Sequence, residues 1–263
     1  MTHPHSSLHR CGSRQSVGTC CEGQSVRTFG AAPEFIFSLD SGGGGGRVYV
    51  NLFEPATLLT TTAAGDPVTV TVATAWPFDT RVDVLVALSG SGGPAPFSLS
   101  LRIPAWAQAP LNGSTIPVLV DGAPAASGAP GSYVDVALLL PADGSAVNAS
   151  FSVIAAPVAQ LYTGATQLAP WSRYSYVFGP FLLAAVGAWD DALNCGVING
   201  STVPGFDPAS PAEWLSTPSG TPTGALPAIA DFSVQGVPGV SLRPYYRVGS
   251  ETFTAFPIVV PAV

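Results

Sequence analysis

Two spacings of apolar residues divide the chain. Across residues 18–38, Val26, Phe29, Ala32, Phe35 and Ile36 recur at helical intervals, interrupted by Gly30 and Pro33. This is the one stretch that predicts a helix, and its apolar residues read as simple packing. Five consecutive glycines, Gly42 to Gly46, follow as a flexible connector. Beyond them the spacing changes to alternation. Arg47–Phe53, Val68–Trp76, Arg81–Leu88, Phe97–Trp106, Ile116–Gly122, Tyr133–Pro141, Ala149–Tyr162 and Tyr174–Gly187 alternate or are β-branched, and each reads as a strand. Turn residues such as Gly65-Asp66-Pro67, Asp121-Gly122 and Ala142-Asp143-Gly144 separate them.

Short alternating strands with turns at this spacing predict a mainly β protein, an antiparallel β-sandwich preceded by a short helical segment. The expected division has four parts: a helical segment over 1–40, a sandwich over 47–188, an irregular linker over 189–238 and a terminal β-segment over 239–263. The linker is rich in Pro, Gly, Ser and Thr. The last part contains the strand-like Val240–Val260, which either rejoins the sandwich or opens a further unit.

Composition narrows the function. The 29 Gly and 26 Pro of 263 residues favour turns and short strands over long helices. The chain has nine Arg, no Lys and a net charge of −7, with no basic stripe, so nucleic acid is not an expected partner. No stretch approaches the roughly 18–20 apolar residues that span a bilayer, so no membrane is expected either. The polar N-terminus MTHPHSSLHRCGSRQ lacks the apolar core of a signal peptide. If the parent protein is secreted, Asn112-Gly-Ser, Asn148-Ala-Ser and Asn199-Gly-Ser are candidate glycosylation sites.

Candidate chemistry concentrates in GTCCEGQSVRTF, residues 18–29, where Cys20 and Cys21 are adjacent in a chain with four cysteines. Neighbouring cysteines rarely bond to each other, because the small ring conflicts with disulfide geometry. Inert thiols, separate disulfides, metal ligation and catalysis all stay open. A position at a helix start lowers thiol pKa and favours a reactive role. Glu22 reads as a helix-terminus carboxylate, while His5, His9 and Cys11 fall in no metal-binding motif. Cys195, alone in the irregular segment, reads as a free thiol. Trp76, Trp106, Trp171, Trp189 and Trp214 are candidate sugar-stacking platforms, with Trp76 and Trp106 expected in the sandwich core because they end strands.

Taken in order, RCGSRQSVGTCCEGQSVRTFGAAPEFIFSLD, RVYVNLFEPATL, VTVTVATAWPFDTRVDVLVAL, FSLSLRIPAWA, VLVDG, SYVDVALLLPADGSAV and YSYVFGPFLLAAVG resemble glycoside hydrolase family 127. These are the non-reducing-end β-L-arabinofuranosidase-like enzymes. The resemblance runs from about residue 10 to about residue 190, and VSLRPYYRVGSETFTAF is similar to the family's later β-region. It implies the end of an (α/α)6 catalytic barrel followed by the middle β-sandwich, with most of the barrel missing from this chain. It further implies that Cys20 is the nucleophile of a retaining mechanism and a ligand of a zinc ion (Zn2+), and that Cys21 is a second zinc ligand. Arg27 matches a family arginine that pairs with a carboxylate. The implied substrate is an arabinofuranosyl glycan.

In that scheme a metal-held thiolate attacks the anomeric carbon, in place of the usual carboxylate nucleophile. The family's remaining zinc ligands and its acid/base glutamate have no counterparts in this sequence. The chain alone is therefore expected to be inactive. The alternatives are a non-catalytic carbohydrate-binding β-sandwich and an interaction domain without a small ligand.

Overall fold

The computed structural model describes residues 30–40, 47–90, 93–109, 113–162, 173–187, 189–190, 195–200, 206–228, 231–255 and 257–260. Alternation becomes burial in its first half. Strand β1 (Phe37–Leu39), β2 (Arg47–Val50), β6 (Ala95–Arg102) and β9 (Tyr133–Leu140) form one sheet in the order β1-β2-β6-β9. Strand β3 (Ala56–Thr61), β4 (Pro67–Thr74), β5 (Arg81–Leu88), β7 (Ile116–Val120), β8 (Ala123–Gly128) and β10 (Val147–Ser152) form a second, in the order β3-β4-β5-β10-β7-β8.

Val48, Val50, Leu99, Leu101, Val134, Val136 and Leu140 of the first sheet share one core with Val70, Val72, Val82, Val84, Val86, Val118 and Phe151 of the second. The odd-numbered residues of β9, Tyr133 to Leu139, point outward and are exposed. A strand places successive side chains on opposite faces, so a period of two in sequence becomes one dry face and one wet face. Within these two sheets pairing is antiparallel except between β2 and β6, which run parallel with Val48 beside Leu99. That pair departs from the all-antiparallel expectation.

The helical stretch ends earlier than its spacing predicts. Residues 18–29 lie outside the described residues. Gly30 and Ala31 are helical and Ala32–Phe35 form a 3-10 turn, but Phe37–Leu39 is strand, with Phe37 opposite Val50. Pro33 withholds a backbone donor from a continuing helix, and the β2 ladder takes the chain instead.

Strand pairing also falls differently from the expected single sandwich over 47–188. The stretch Ala149–Tyr162 is two strands: β10, in the sandwich, and β11 (Pro157–Leu161) in another sheet. That third sheet joins β11 to β12 (Tyr174–Phe178), β13 (Phe181–Val186), β18 (Ser241–Pro244), β17 (Phe232–Val234) and β16 (Leu215–Ser216), with β19 (Phe253–Thr254) also on β13. Its core holds Tyr176, Phe178, Leu183, Trp214, Leu226, Phe232 and Leu242.

The expected linker thus contributes two of these strands, the helical turn Pro211–Trp214, and β14 (Trp189–Asp190) and β15 (Cys195–Asn199) of a small sheet completed by β20 (Ile258–Val260). Among the described residues no helix is long and apolar enough to cross a membrane.

The two cores set the stability pattern. Leu101 is fully buried, whereas Leu59 is 77% exposed. In urea unfolding, Leu101→Ala should lose about 2–5 kcal/mol, the cost of a cavity in a close-packed interior. Leu59→Ala should stay within about 0.5 kcal/mol of the parent.

Candidate functional site

The thiol pair singled out in sequence, Cys20 and Cys21, lies outside the described residues, as do His5, His9, Cys11, Glu22 and Arg27. Cys195 sits on β15, with its side chain outside the description. Zinc in a protein takes about three or four protein ligands. Two thiolates are half a tetrahedral set, and among the described residues no group of three or more His, Cys, Asp or Glu could hold a metal ion. Among the described residues no donor set completes a zinc site, and no step through the metal is derived.

The described residues do bring aromatic side chains together at the junction of the two cores. The turn between β4 and β5 is shaped by its own hydrogen bonds. The Trp76 amide donates to Thr74 Oγ1 at 3.0 Å and the Phe78 amide to the Ala75 carbonyl at 2.9 Å. This turn sends Trp76 back over the sheet ends. The Trp76 ring lies 5.4 Å from that of Trp106 and stacks at 5.5 Å on Phe181, which meets Tyr246 at 5.6 Å. Aromatic pairs at these separations add about 0.5–1.5 kcal/mol beyond burial.

Backbone bonds stitch the same junction. The Leu226 amide donates to the Pro77 carbonyl at 2.8 Å and the Ala155 amide to the Gly224 carbonyl at 3.0 Å. Gly224, at φ +82°, approaches Ile154 so closely that a Cβ there would lie 2.4 Å from the Ile154 Cγ2. Between the Phe78 turn and the 218–228 loop is a cleft of about 360 Å³, lined by Phe78, Ser219, Thr221, Leu226, Pro227 and Ala228 among others. Phe78 is 45% exposed.

One wall of this loop is tied down by charge. The Arg243 guanidinium donates to Asp231 Oδ2 through Nε at 2.9 Å and Nη2 at 2.7 Å, and through Nη1 to Glu251. Asp231 and Glu251 push the Arg243 pKa up. The Glu251 carboxyl is held below its ordinary value by its own backbone amide first, then by Arg243 and the Gly249 amide. Arg247 reaches the Pro227 carbonyl at 3.2 Å and comes within 3.9 Å of Asp231 Oδ1. The network fixes the loop that carries Pro227.

A second cleft, of about 260 Å³, opens on the outer face of the sandwich beside Arg81, Ile116, Leu119, Ser150 and Ile154. Next to it Asp83 accepts from Arg81 Nη2 at 2.7 Å and from Asn148 Nδ2 at 2.8 Å. The Arg81 bonds above all hold the Asp83 carboxyl below its ordinary pKa, with Asn148 adding to them. Asn148 is one of the three candidate glycosylation sites. Its Nδ2 is engaged with Asp83 on the neighbouring strand β5. Asn112 lies outside the described residues, and Asn199 is on β15 with its side chain outside the description.

Among the described residues the tryptophan side chains share no open face. Trp214 is 1% exposed, and its Nε1 donates to the Asp207 carbonyl at 2.8 Å. Trp76 and Trp106 are half-buried against the sandwich core, as their strand-end positions predict. Trp171 and the Trp189 side chain lie outside the description. The exposed aromatics among the described residues are instead Phe35, Phe78, Tyr133, Tyr162, Tyr245 and Tyr246. Phe78 had a signal in sequence: in AWPFD it follows the proline inside a turn, past the end of the strand, where alternation gives it no core to face.

Comparison with known proteins adds to this geometry. The family model described as Beta-L-arabinofuranosidase, GH127 middle domain, matches residues 47–151. No curated protein matches the chain in sequence. A GH127 beta-L-arabinofuranosidase from Geobacillus stearothermophilus T6 is similar in structure, with a TM-score of 0.56 and 14% identity, over 92% of this chain and 37% of that one. A chain named glycoside hydrolase gives 0.56 and 17% over 93% and 40%. A further GH127 beta-arabinofuranosidase gives 0.54 and 15% over 92% and 38%. At such identities the likeness establishes the fold. The chain spans about two fifths of the length of the solved structures it matches.

Two outcomes follow from the ionic geometry. Arg243→Ala leaves the half-buried Asp231 without its main partner and should cost about 1.5–3 kcal/mol in urea unfolding, the range for hydrogen bonds to charged groups. Asp83 has a lowered folded pKa, so its stabilisation is complete above the unfolded carboxylate value of about 3.9. It is lost as pH falls through the lower folded value. Stability measured from pH 7 down to pH 2 should therefore fall less steeply in Asp83→Asn than in the parent.

Proposed function

We propose that this chain, which carries a GH127-like middle domain, is the β-rich part of a glycoside hydrolase that acts on arabinofuranosyl glycans. The observation that carries the reading is the family match over residues 47–151, set in a fold that follows solved GH127 enzymes along 92% of the chain. The sequence of motifs from Cys20 to Gly187 supports it.

In this reading Cys20 is the nucleophile and Cys21 its partner thiol. A Cys20 thiolate attacks the anomeric carbon, and the glycosidic C–O bond breaks as an acid protonates the leaving oxygen. Water activated by the conjugate base then displaces the thiol from the sugar, restoring Cys20 and retaining the configuration. Zinc, where bound, keeps the thiol ionised at neutral pH.

In this reading the proton donor and the further ligands come from the barrel part of the enzyme; among the described residues no group of three or more His, Cys, Asp or Glu could hold a metal ion. Loss of a general acid alone removes about 10²–10⁴-fold of rate, and loss of the surfaces that orient the sugar removes more. The 263-residue chain by itself is therefore a non-hydrolysing body.

The test is to express the chain, measure zinc by elemental analysis and assay p-nitrophenyl β-L-arabinofuranoside. The expected result is zinc well below one ion per chain and no release of p-nitrophenol above buffer. One zinc per chain with turnover that Cys20→Ser abolishes would overturn the inactivity.

A further inference from the structure

The cleft beside Phe78 combines three features. Its lining, Phe78, Pro218 to Pro222 and Leu226 to Ala228, contains no charged side chain. It offers two hydroxyls, Ser219 and Thr221, beside an aromatic ring that is 45% exposed. Its walls are braced from behind. The Leu226 amide holds the Pro77 carbonyl, Trp76 stacks on Phe181, and Arg247 holds the Pro227 carbonyl.

We propose that this cleft is a binding subsite for one ring of a neutral polysaccharide, without a part in bond cleavage. A sugar ring carries an apolar face of C–H bonds and a rim of hydroxyls. Phe78 presents a flat apolar surface to the former, and Ser219 and Thr221 present donors and acceptors to the latter. A purely apolar ligand would strip water from both hydroxyls without replacing their bonds. A phosphate, uronate or other anion would meet no cation in the lining, since Arg243 and Arg247 are engaged with Asp231, Glu251 and the Pro227 carbonyl. The cleft volume of about 360 Å³ suits a small ring. Because the braces set the lining before any ligand arrives, little ordering cost opposes binding. The choice of a sugar over other neutral ligands rests on the glycosidase reading above.

Affinity electrophoresis of the full chain through gels containing arabinan, arabinoxylan or polygalacturonate tests it. Arabinan or arabinoxylan should retard the parent, and polygalacturonate should not. Phe78→Ala should raise the dissociation constant about tenfold, the loss of one stacked ring. Thr221→Val should weaken retardation in the same direction, and Leu59→Ala, on the sandwich's exposed edge strand, should match the parent. Urea midpoints equal to the parent's confirm that the variants fold. No retardation by either neutral polymer, retardation by polygalacturonate alone, or retardation unchanged in both Phe78→Ala and Thr221→Val would each overturn the subsite. Zinc content and p-nitrophenol release report on Cys20 and Cys21 and are independent of Phe78, so either reading can fail without the other.

Discussion

The structure depends on burial of one face of each strand against a facing sheet. Val70, Val72, Val84 and Val86 on one side and Leu99, Leu101, Val134 and Val136 on the other are almost wholly removed from water. Burying side chains of this size gains about 1.5–3 kcal/mol each. Among the described residues the helical segments are single turns, so this single term orders the sandwich. Stiff β-branched valines suit the pleated surface and lose little freedom on packing there. The charged and hydroxyl groups between them, Asp83, Thr71 and Asp135, are left on the outer faces, where they bond to side chains of other strands.

The second core is built by different means. Its sheet is short-stranded and drawn from distant segments, and aromatic rings supply much of the interior: Tyr176 against Trp214, Phe178 against Phe232, Phe206 against Trp214. Where it meets the sandwich, Trp76 and Trp106 project from strand ends and continue the ring contacts through Phe181 to Tyr246. The Arg243 network then holds the loops that carry Pro227, Gly249 and Glu251. A cleft at such a junction inherits rigidity from both cores, because every loop that lines it is anchored in one or the other.

The sandwich strands were legible because alternation is a local signal. Arg47–Val50, Pro67–Thr74, Arg81–Leu88 and Tyr133–Leu140 each reveal their buried face residue by residue. Strand β8, Ala-Pro-Ala-Ala-Ser-Gly, carried no such signal, since small residues at an exposed edge bury little. The strands within 189–238 are two to five residues long, too short to show a period. Their existence rests on partners in other segments, Val234 beside Leu215 and Ile258 beside Val197. The end of the helical stretch was misplaced for a related reason: Phe37 has apolar spacing that suits a helix, and only the ladder to Val50 decides otherwise.

By itself the sequence determined the β character, the inward face of each long strand, the resemblance to family 127 and the candidate thiols Cys20 and Cys21, because each depends on residue types within a few positions of one another. Only the tertiary structure decided that the strands divide between two cores, that β2 and β6 run parallel, and that Asn148 Nδ2 is taken by Asp83. It also gathered Phe78, Ser219 and Thr221 around one neutral cleft. Those outcomes depend on residues tens to well over a hundred positions apart, and contact across such separations is set by how sheets pack, not by local pattern.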